Sequence, residues 1–176
     1  GGGAAAKAPL PAGRAPRLDE IPFESESRYM ATLHEDGEFN VILVKGSPET
    51  VLGFCDTELV GGEARPLGRE TVLAEAEDMA HEALRVLGKA YKRVPREQTR
   101  LTPEDLRGLT FLGLTGMMDP PRVEVIEAVR RCRTAGIRVV MITGDHAATA
   151  RAIARQLGLQ NPDSVMTGQD LDRLDE

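Results

Sequence analysis

The chain has 176 residues, 41% of them apolar, but only 3% aromatic, with no Trp and a net charge of −6. That charge, with no basic stripe or polybasic run, argues against a nucleic-acid or anionic-membrane partner. Two cysteines cannot make a disulfide framework and fit a reducing compartment, and no apolar run has the length of a membrane span or the form of a signal peptide.

Residues 1–17, rich in Gly, Ala and Pro, have no periodicity that could bury a face and read as a flexible arm or linker, with at most a short helix around Ala4 to Ala8. Beyond Leu18 the texture changes. Tyr29 to His34 and Phe39 to Val44 are strand-like runs around the turn Glu35-Asp36-Gly37-Glu38, the hairpin of a small antiparallel sheet. The second strand runs into Lys45-Gly46-Ser47-Pro48-Glu49. There Ser47 can cap a helix, Pro48 suits its first turn and Glu49 complements its dipole, so a helix is expected to about Cys55.

Gly61-Gly62 to Gly68 reads as a loop. Thr71 to Tyr91 reads as the longest helix, on the spacing of Leu73, Ala76, Met79, Ala80, Ala83, Leu84 and Leu87. Gly88 weakens its tail, which can turn to strand near Val86. Thr102-Pro103-Glu104-Asp105 starts one short helical turn.

From Leu109 to Leu159 the pattern is strand, helix, strand, turn, helix. Leu109 to Leu114 is a short apolar strand. Asp119-Pro120-Pro121 then starts a helix striped by Val125, Ile126, Val129 and Cys132 and ended at Gly136. Ile137 to Ile142 is expected as the second buried strand of a right-handed βαβ unit. Thr143-Gly144-Asp145 follows at its carboxyl end, where open α/β sheets bind ligands. The next helix, Ala147 to Leu157 closed by Gly158, points its free N–H groups at the same place. A hydroxyl, a flexible glycine and helix N–H groups suit a phosphoryl group; on the residues alone, Asp145 as a mere helix cap is an equal reading.

Two motifs in this order carry a resemblance. Asp119-Pro120-Pro121-Arg122 and Met141-Ile142-Thr143-Gly144-Asp145-His146 resemble the DPPR and TGD motifs of P-type cation-transporting ATPases, type II and calcium-pump-like. In that family they belong to a haloacid-dehalogenase-like phosphorylation domain. Upstream, Pro22-Phe23-Glu24-Ser25-Glu26-Ser27-Arg28-Tyr29-Met30 resembles the start of the family's nucleotide site. Lys45-Gly46-Ser47-Pro48-Glu49 is similar to its KGAPE motif, and Leu84-Arg85-Val86-Leu87 to the segment that reaches the nucleotide phosphates. The resemblance spans about Leu18 to Leu159.

The resemblance implies a fold and a set of roles. The fold class is α/β: a small antiparallel sheet with helices, a nucleotide-binding domain incomplete at its start over 18–108, then a partial Rossmann-like parallel βαβ unit of a phosphorylation domain over 109–176. Phe23 would stack on adenine, Arg28 would lie near the triphosphate, Lys45 with Gly46 would form the back of the pocket, and Arg85 would contact a phosphate oxygen. An aromatic face suits a purine, and a lysine or a guanidinium fork suits phosphate oxygens. Thr143, Gly144 and Asp145 would support the phosphoryl group and the ordering of magnesium, and Asp119 with Pro120 would form the interdomain hinge.

The family's DKTGT motif, which carries the aspartate nucleophile, has no match here, nor has the later GDGVND-type motif that holds Mg2+. Asp170 and Asp172 are expected to be tail residues, so metal ligands are expected outside this stretch. The expectation is therefore the cytosolic ATP-binding portion of an ion-translocating ATPase, with ATP and Mg2+ as cofactors. The rest of the pump, its transmembrane domain included, would be its partner, and the parent would sit in a membrane, that of a prokaryote. On its own the portion should bind nucleotide without turnover. The alternatives are a non-catalytic nucleotide-binding or interaction module and a haloacid-dehalogenase-like phosphatase; the latter needs an aspartate at the end of a first strand, and none is found.

Overall fold

A computed structural model describes residues 15–118 and 121–173. The expected arm falls largely outside these residues, as do Asp119 and Pro120. The chain is α/β, as expected, and forms two compact units: residues up to Ala74 with Leu87–Thr115, and Glu75–Val86 with Gly116 onward.

The first unit is built on a sheet in the order β1 (Arg17–Ile21), β2 (Tyr29–Asp36), β3 (Phe39–Gly46), β6 (Leu84–Pro95), β7 (Leu109–Met118), β4 (Cys55–Val60), β5 (Glu63–Pro66). β1 (Arg17–Ile21), β2 (Tyr29–Asp36) and β3 (Phe39–Gly46) pair antiparallel. The β2–β3 turn is Gly37-Glu38, and only Gly37 takes a positive φ (66°), the pattern of a type II′ hairpin. Ser47 then caps α1 (Pro48–Gly53) as expected, its hydroxyl accepting the Thr50 N–H at 3.4 Å. Val51 and Leu52 of this helix are fully buried against Ala31, Leu33, Ile42 and Val44 on one face of the sheet.

Two expectations in this unit are corrected. The Gly61–Gly68 stretch holds a strand: β4 (Cys55–Val60) and β5 (Glu63–Pro66) make a hairpin closed by Gly61-Gly62. Both glycines have positive φ, which a two-residue type I′ turn requires. β5 escapes a reading by hydrophobicity because Glu63, Ala64, Arg65 and Pro66 are all exposed at the sheet edge. The long helix also stops early, and its tail is strand, the change that Gly88 allowed near Val86. α2 covers Arg69–His81, Ala83 turns into the left-handed region at φ 62°, and β6 begins at Leu84 and runs to Pro95. The strand prevails because residues 88–95 pair antiparallel with the whole of β3; Val86, Tyr91 and Val94 suit a strand, and Gly88 disfavours a helix.

The link after β6 is held by side chains. Asn40, buried, donates from Nδ2 to the carbonyls of Arg96 and Gln98, and Lys92 donates to those of Asp105 and Arg107. The expected helical turn is Pro103–Asp105, with Thr102 and Asp105 in a capping box. β7 (Leu109–Met118) pairs in parallel with β4.

The second unit is mainly helical. α3 (Val123–Thr134) ends at Ala135 and Gly136, and Ile137 N–H bonds back to the Cys132 carbonyl at 2.9 Å. α4 (Ala147–Leu157) closes on Gly158 at φ 71°, with Leu159 N–H on the Ala154 carbonyl. These two helices pack on each other. α5 (Gly168–Asp172) follows. The buried side chains here are small: Ala76, Ala80, Ala148, Ala150, Ala152 and Ala154, with Val129 and Thr149.

The second strand of the expected βαβ unit does not form. Ile137–Ile142 has no ladder, and Ile137, Val140 and Ile142 are exposed. A parallel strand needs a free neighbour for its N–H and C=O groups, and β7, the expected neighbour, already lies between β6 and β4. The run has strand composition without a partner among the described residues.

Candidate functional site

The singled-out residues fall into two groups, one in each unit. In the first unit Arg28, Lys45 and Gly46 lie where β2 and β3 meet, and Phe23 lies in the loop after β1. Phe23 lies in that loop and is 58% exposed, so it takes no part in the core. The chain then turns back on itself: Arg28 donates its N–H to the Glu24 carbonyl, adopts φ 60°, and accepts the Ser47 N–H on its own carbonyl at 2.9 Å. A non-glycine residue in the left-handed region stores strain. Here two backbone hydrogen bonds hold it.

Gly46 shows why that turn and the following helix can coexist. A Cβ at Gly46 would lie 2.4 Å from the Arg28 carbonyl oxygen and 2.7 Å from Tyr29 Cβ, so no larger residue fits. Tyr29 fills the space beneath by setting its ring edge-on to Phe54, centroids 5.1 Å apart. Lys45, one residue back, points to the opposite face and is exposed. Register sets Met30 opposite Lys45 on β2 and Lys89 opposite it on β6. Nothing in the linear sequence singles out Lys89, because its place beside Lys45 arises only when distant strands pair.

In the second unit the structure joins Arg85 to the Thr143-Gly144-Asp145 turn. Thr143 Oγ1 donates to Asp145 Oδ2 at 2.8 Å and accepts the Asp145 N–H at 3.1 Å. Arg85 Nε lies 3.7 Å from Asp145 Oδ1, an ion pair between a largely exposed guanidinium and a half-buried carboxylate. Asp145 does not cap α4. That role falls to His146, whose Nδ1 accepts the Ala148 N–H at 3.4 Å. Thr149, buried in the first turn of the helix, donates to the Leu84 carbonyl at 3.1 Å. The turn and the helix after it are thus tied to the first residues of β6, with one carboxylate, one hydroxyl and one guanidinium in contact.

The turn offers one guanidinium and one hydroxyl beside a single carboxylate, and this is not a metal cage. Among the described residues no three His, Cys, Asp or Glu side chains gather to hold an ion. Magnesium commonly takes one or two carboxylates plus substrate phosphates, so Asp145 suits a single such contact. The two cysteines are free thiols. Cys55 donates to the Val51 carbonyl, and burial pushes its thiol up to about 12, so it stays protonated and unreactive. Among the described residues no helix is long and apolar enough to cross a membrane.

Comparison with known proteins gives the context. Residues 10–124 match the family description of the P-type ATPase cytoplasmic domain N. A calcium-transporting ATPase of Listeria monocytogenes is 42% identical over 91% of this chain and 19% of its own length. A cation-transporting ATPase of Synechocystis is 49% identical over 84% of the chain and 16% of its own length. The sodium/potassium-transporting ATPase subunit alpha of Hydra vulgaris is 40% identical over 81% of the chain and 15% of its length. The chain thus spans less than a fifth of each of these relatives. It belongs to the P-type cation-transporting ATPase family, of whose cytoplasmic domain N it carries a matching segment.

Proposed function

We propose that this chain is the adenine-nucleotide-binding portion of a P-type pump, whose whole length couples ATP hydrolysis through an aspartyl-phosphate to cation transport across a membrane. The observation that carries this reading is the exposed Phe23 ring in the same unit as Arg28, Lys45 and Gly46, inside the segment that matches domain N. Phe23 stacks on the purine, Lys45 and Gly46 form the pocket wall, and Arg28 lies near the triphosphate. Residues 18–108 are the nucleotide-binding part, and 109–176 belong to the phosphorylation domain.

Arg85 and Thr143-Gly144-Asp145 then serve the phosphoryl group. Phosphoryl transfer needs positioning and charge neutralisation more than acid–base groups. Arg85 supplies positive charge, and Thr143 a hydroxyl already oriented by Asp145. Magnesium, when bound with the nucleotide, offsets phosphate charge, and Asp145 is this chain's residue for ordering it. The chain holds no DKTGT motif, so by itself it binds ATP without turnover. The remainder of the pump, including its membrane domain, is its partner, and this portion lies in the cytoplasm.

The test is Phe23→Ala. Stacking on adenine is worth about 1–3 kcal/mol, so the variant should bind ATP roughly fivefold to 150-fold more weakly with an unchanged unfolding curve. Unchanged ATP affinity in a folded variant removes Phe23 from the site.

A further inference from the structure

We propose that Thr149 is a positioning residue for Arg85: its hydroxyl, bonded to the Leu84 carbonyl, fixes the peptide from which Arg85 departs and so aims the guanidinium at the Thr143-Gly144-Asp145 turn. This rests on the reading in which Arg85 and that turn serve the phosphoryl group.

A buried hydroxyl needs a reason. Among the described residues of the second unit Thr149 is the one buried polar side chain, 3% exposed on a helix whose other buried residues are alanines. Valine has the same shape and would fill this space without burying an oxygen, and a hydroxyl taken out of water costs free energy unless it is bonded. A threonine in a helix can turn its single proton back to the carbonyl one turn earlier. Here the proton goes out of the helix, to the Leu84 carbonyl at 3.1 Å.

Leu84 stands where the chain most needs an anchor. α2 ends at His81, and Ala83 then takes φ 62°, an unfavourable conformation for a residue with a Cβ. The pairing of β6 with β3 begins only at Gly88, beyond Leu84. The Leu84 side chain is set against Gly116, where a Cβ would lie 2.9 Å from Leu84 Cδ1, and the Thr149 hydroxyl holds its carbonyl. A peptide group is planar, so fixing the Leu84 carbonyl also fixes the Arg85 N–H and the direction in which the arginine side chain leaves. That side chain is 65% exposed, so its aim comes from the backbone more than from packing, and its Nε meets Asp145 Oδ1 at 3.7 Å. Asp145 stands two residues before α4 and Thr149 in its first turn, while Leu84 and Arg85 are neighbours on β6. Two contacts therefore clamp the same two stretches of chain, and the buried one sets the exposed one.

The experiment compares the wild-type chain with Thr149→Val, which keeps the shape and loses the donor, and Thr149→Ser, which keeps the hydroxyl. Arg85→Gln and the double variant Thr149→Val with Arg85→Gln complete the set. Without ligand, nitrogen relaxation of the Arg85 Nε–H reads its order. Thr149→Val should lower that order and Thr149→Ser should keep most of it, with the amide spectrum of the first unit unchanged in both. Inorganic phosphate is then titrated. Thr149→Val and Arg85→Gln should each weaken it about twofold to fivefold, the range for an exposed charge contact, and the double variant should be no weaker than Arg85→Gln alone. An Arg85 Nε–H as ordered in Thr149→Val as in wild type overturns the proposal, as do additive losses in the double variant or a Thr149→Ser that behaves like Thr149→Val. Where Thr149→Val unfolds, the wild-type chain still decides: a Thr149 hydroxyl proton that exchanges as fast as exposed hydroxyls overturns the proposal. No phosphate response in the wild-type chain overturns the phosphoryl reading and leaves the order of Arg85 to judge Thr149, so the two failures are told apart.

Discussion

β3 carries Val41-Ile42-Leu43-Val44, and the segment before the Thr143 turn carries Val139-Val140-Met141-Ile142; by composition either run makes a strand. Ile42 is fully buried, whereas Ile142 is 95% exposed. The difference lies in their neighbours. β3 has β2 on one side and β6 on the other, so each of its peptide groups has a partner and its inner face has α1 to cover it. Among the described residues the later run has no strand beside it. Strand propensity is a capacity for pairing, and pairing is supplied by other parts of the chain.

The largest effect that would break this comparison is a pair of truncations. Ile42→Ala removes a fully buried side chain and should cost about 2–5 kcal/mol. Ile142→Ala should stay within about 0.5 kcal/mol. Urea unfolding measures both, and equal losses would mean that the second run is packed after all. Next comes Gly46→Ala. The Arg28 carbonyl must move to admit the methyl, a loss of about 1–3 kcal/mol that a substitution at Gly53, with no atoms near its Cβ position, should not show beyond helix propensity.

Ser47→Ala removes the α1 cap for about 1 kcal/mol. Hydrogen exchange sharpens the same contrast without mutation: amides of β3 should be protected strongly and those of 138–142 weakly. The smallest effect is a pH effect. Asp19 Oδ2 accepts the Leu101 N–H at 2.9 Å, and this bond, with that from the Glu20 N–H, holds its carboxyl below the ordinary 3.8. A depressed folded value means its contribution is whole above the ordinary value and lost as pH falls below it. The acid limb of the stability curve should therefore be shallower in Asp19→Asn.

Short-range signals were the legible part of the fold. Ser47-Pro48-Glu49, Thr102 to Asp105, Gly37 and Gly158 each act within a few residues, and each stands where the local chemistry sets it. The misread parts depended on distant partners. Gly61-Gly62 signalled a hairpin, but the polar edge strand β5 gave no apolar alternation to support it. The α2 pattern ran on into residues that β3 recruits as β6. At the site, Phe23 and Lys45 could be singled out by residue type and motif. Lys89 could not, since its position depends on register between strands far apart in sequence, and His146 took the cap that Asp145 could equally have filled.

The most direct test of the central claim is a titration of ATP, against GTP, followed by amide NMR shifts on the chain. The account predicts saturable ATP-selective shifts at Phe23, Arg28 and Lys45, with the β4–β5 hairpin at the opposite edge of the sheet unaffected. Shifts that are absent, or equal for the two nucleotides, would contradict an adenine site on this face.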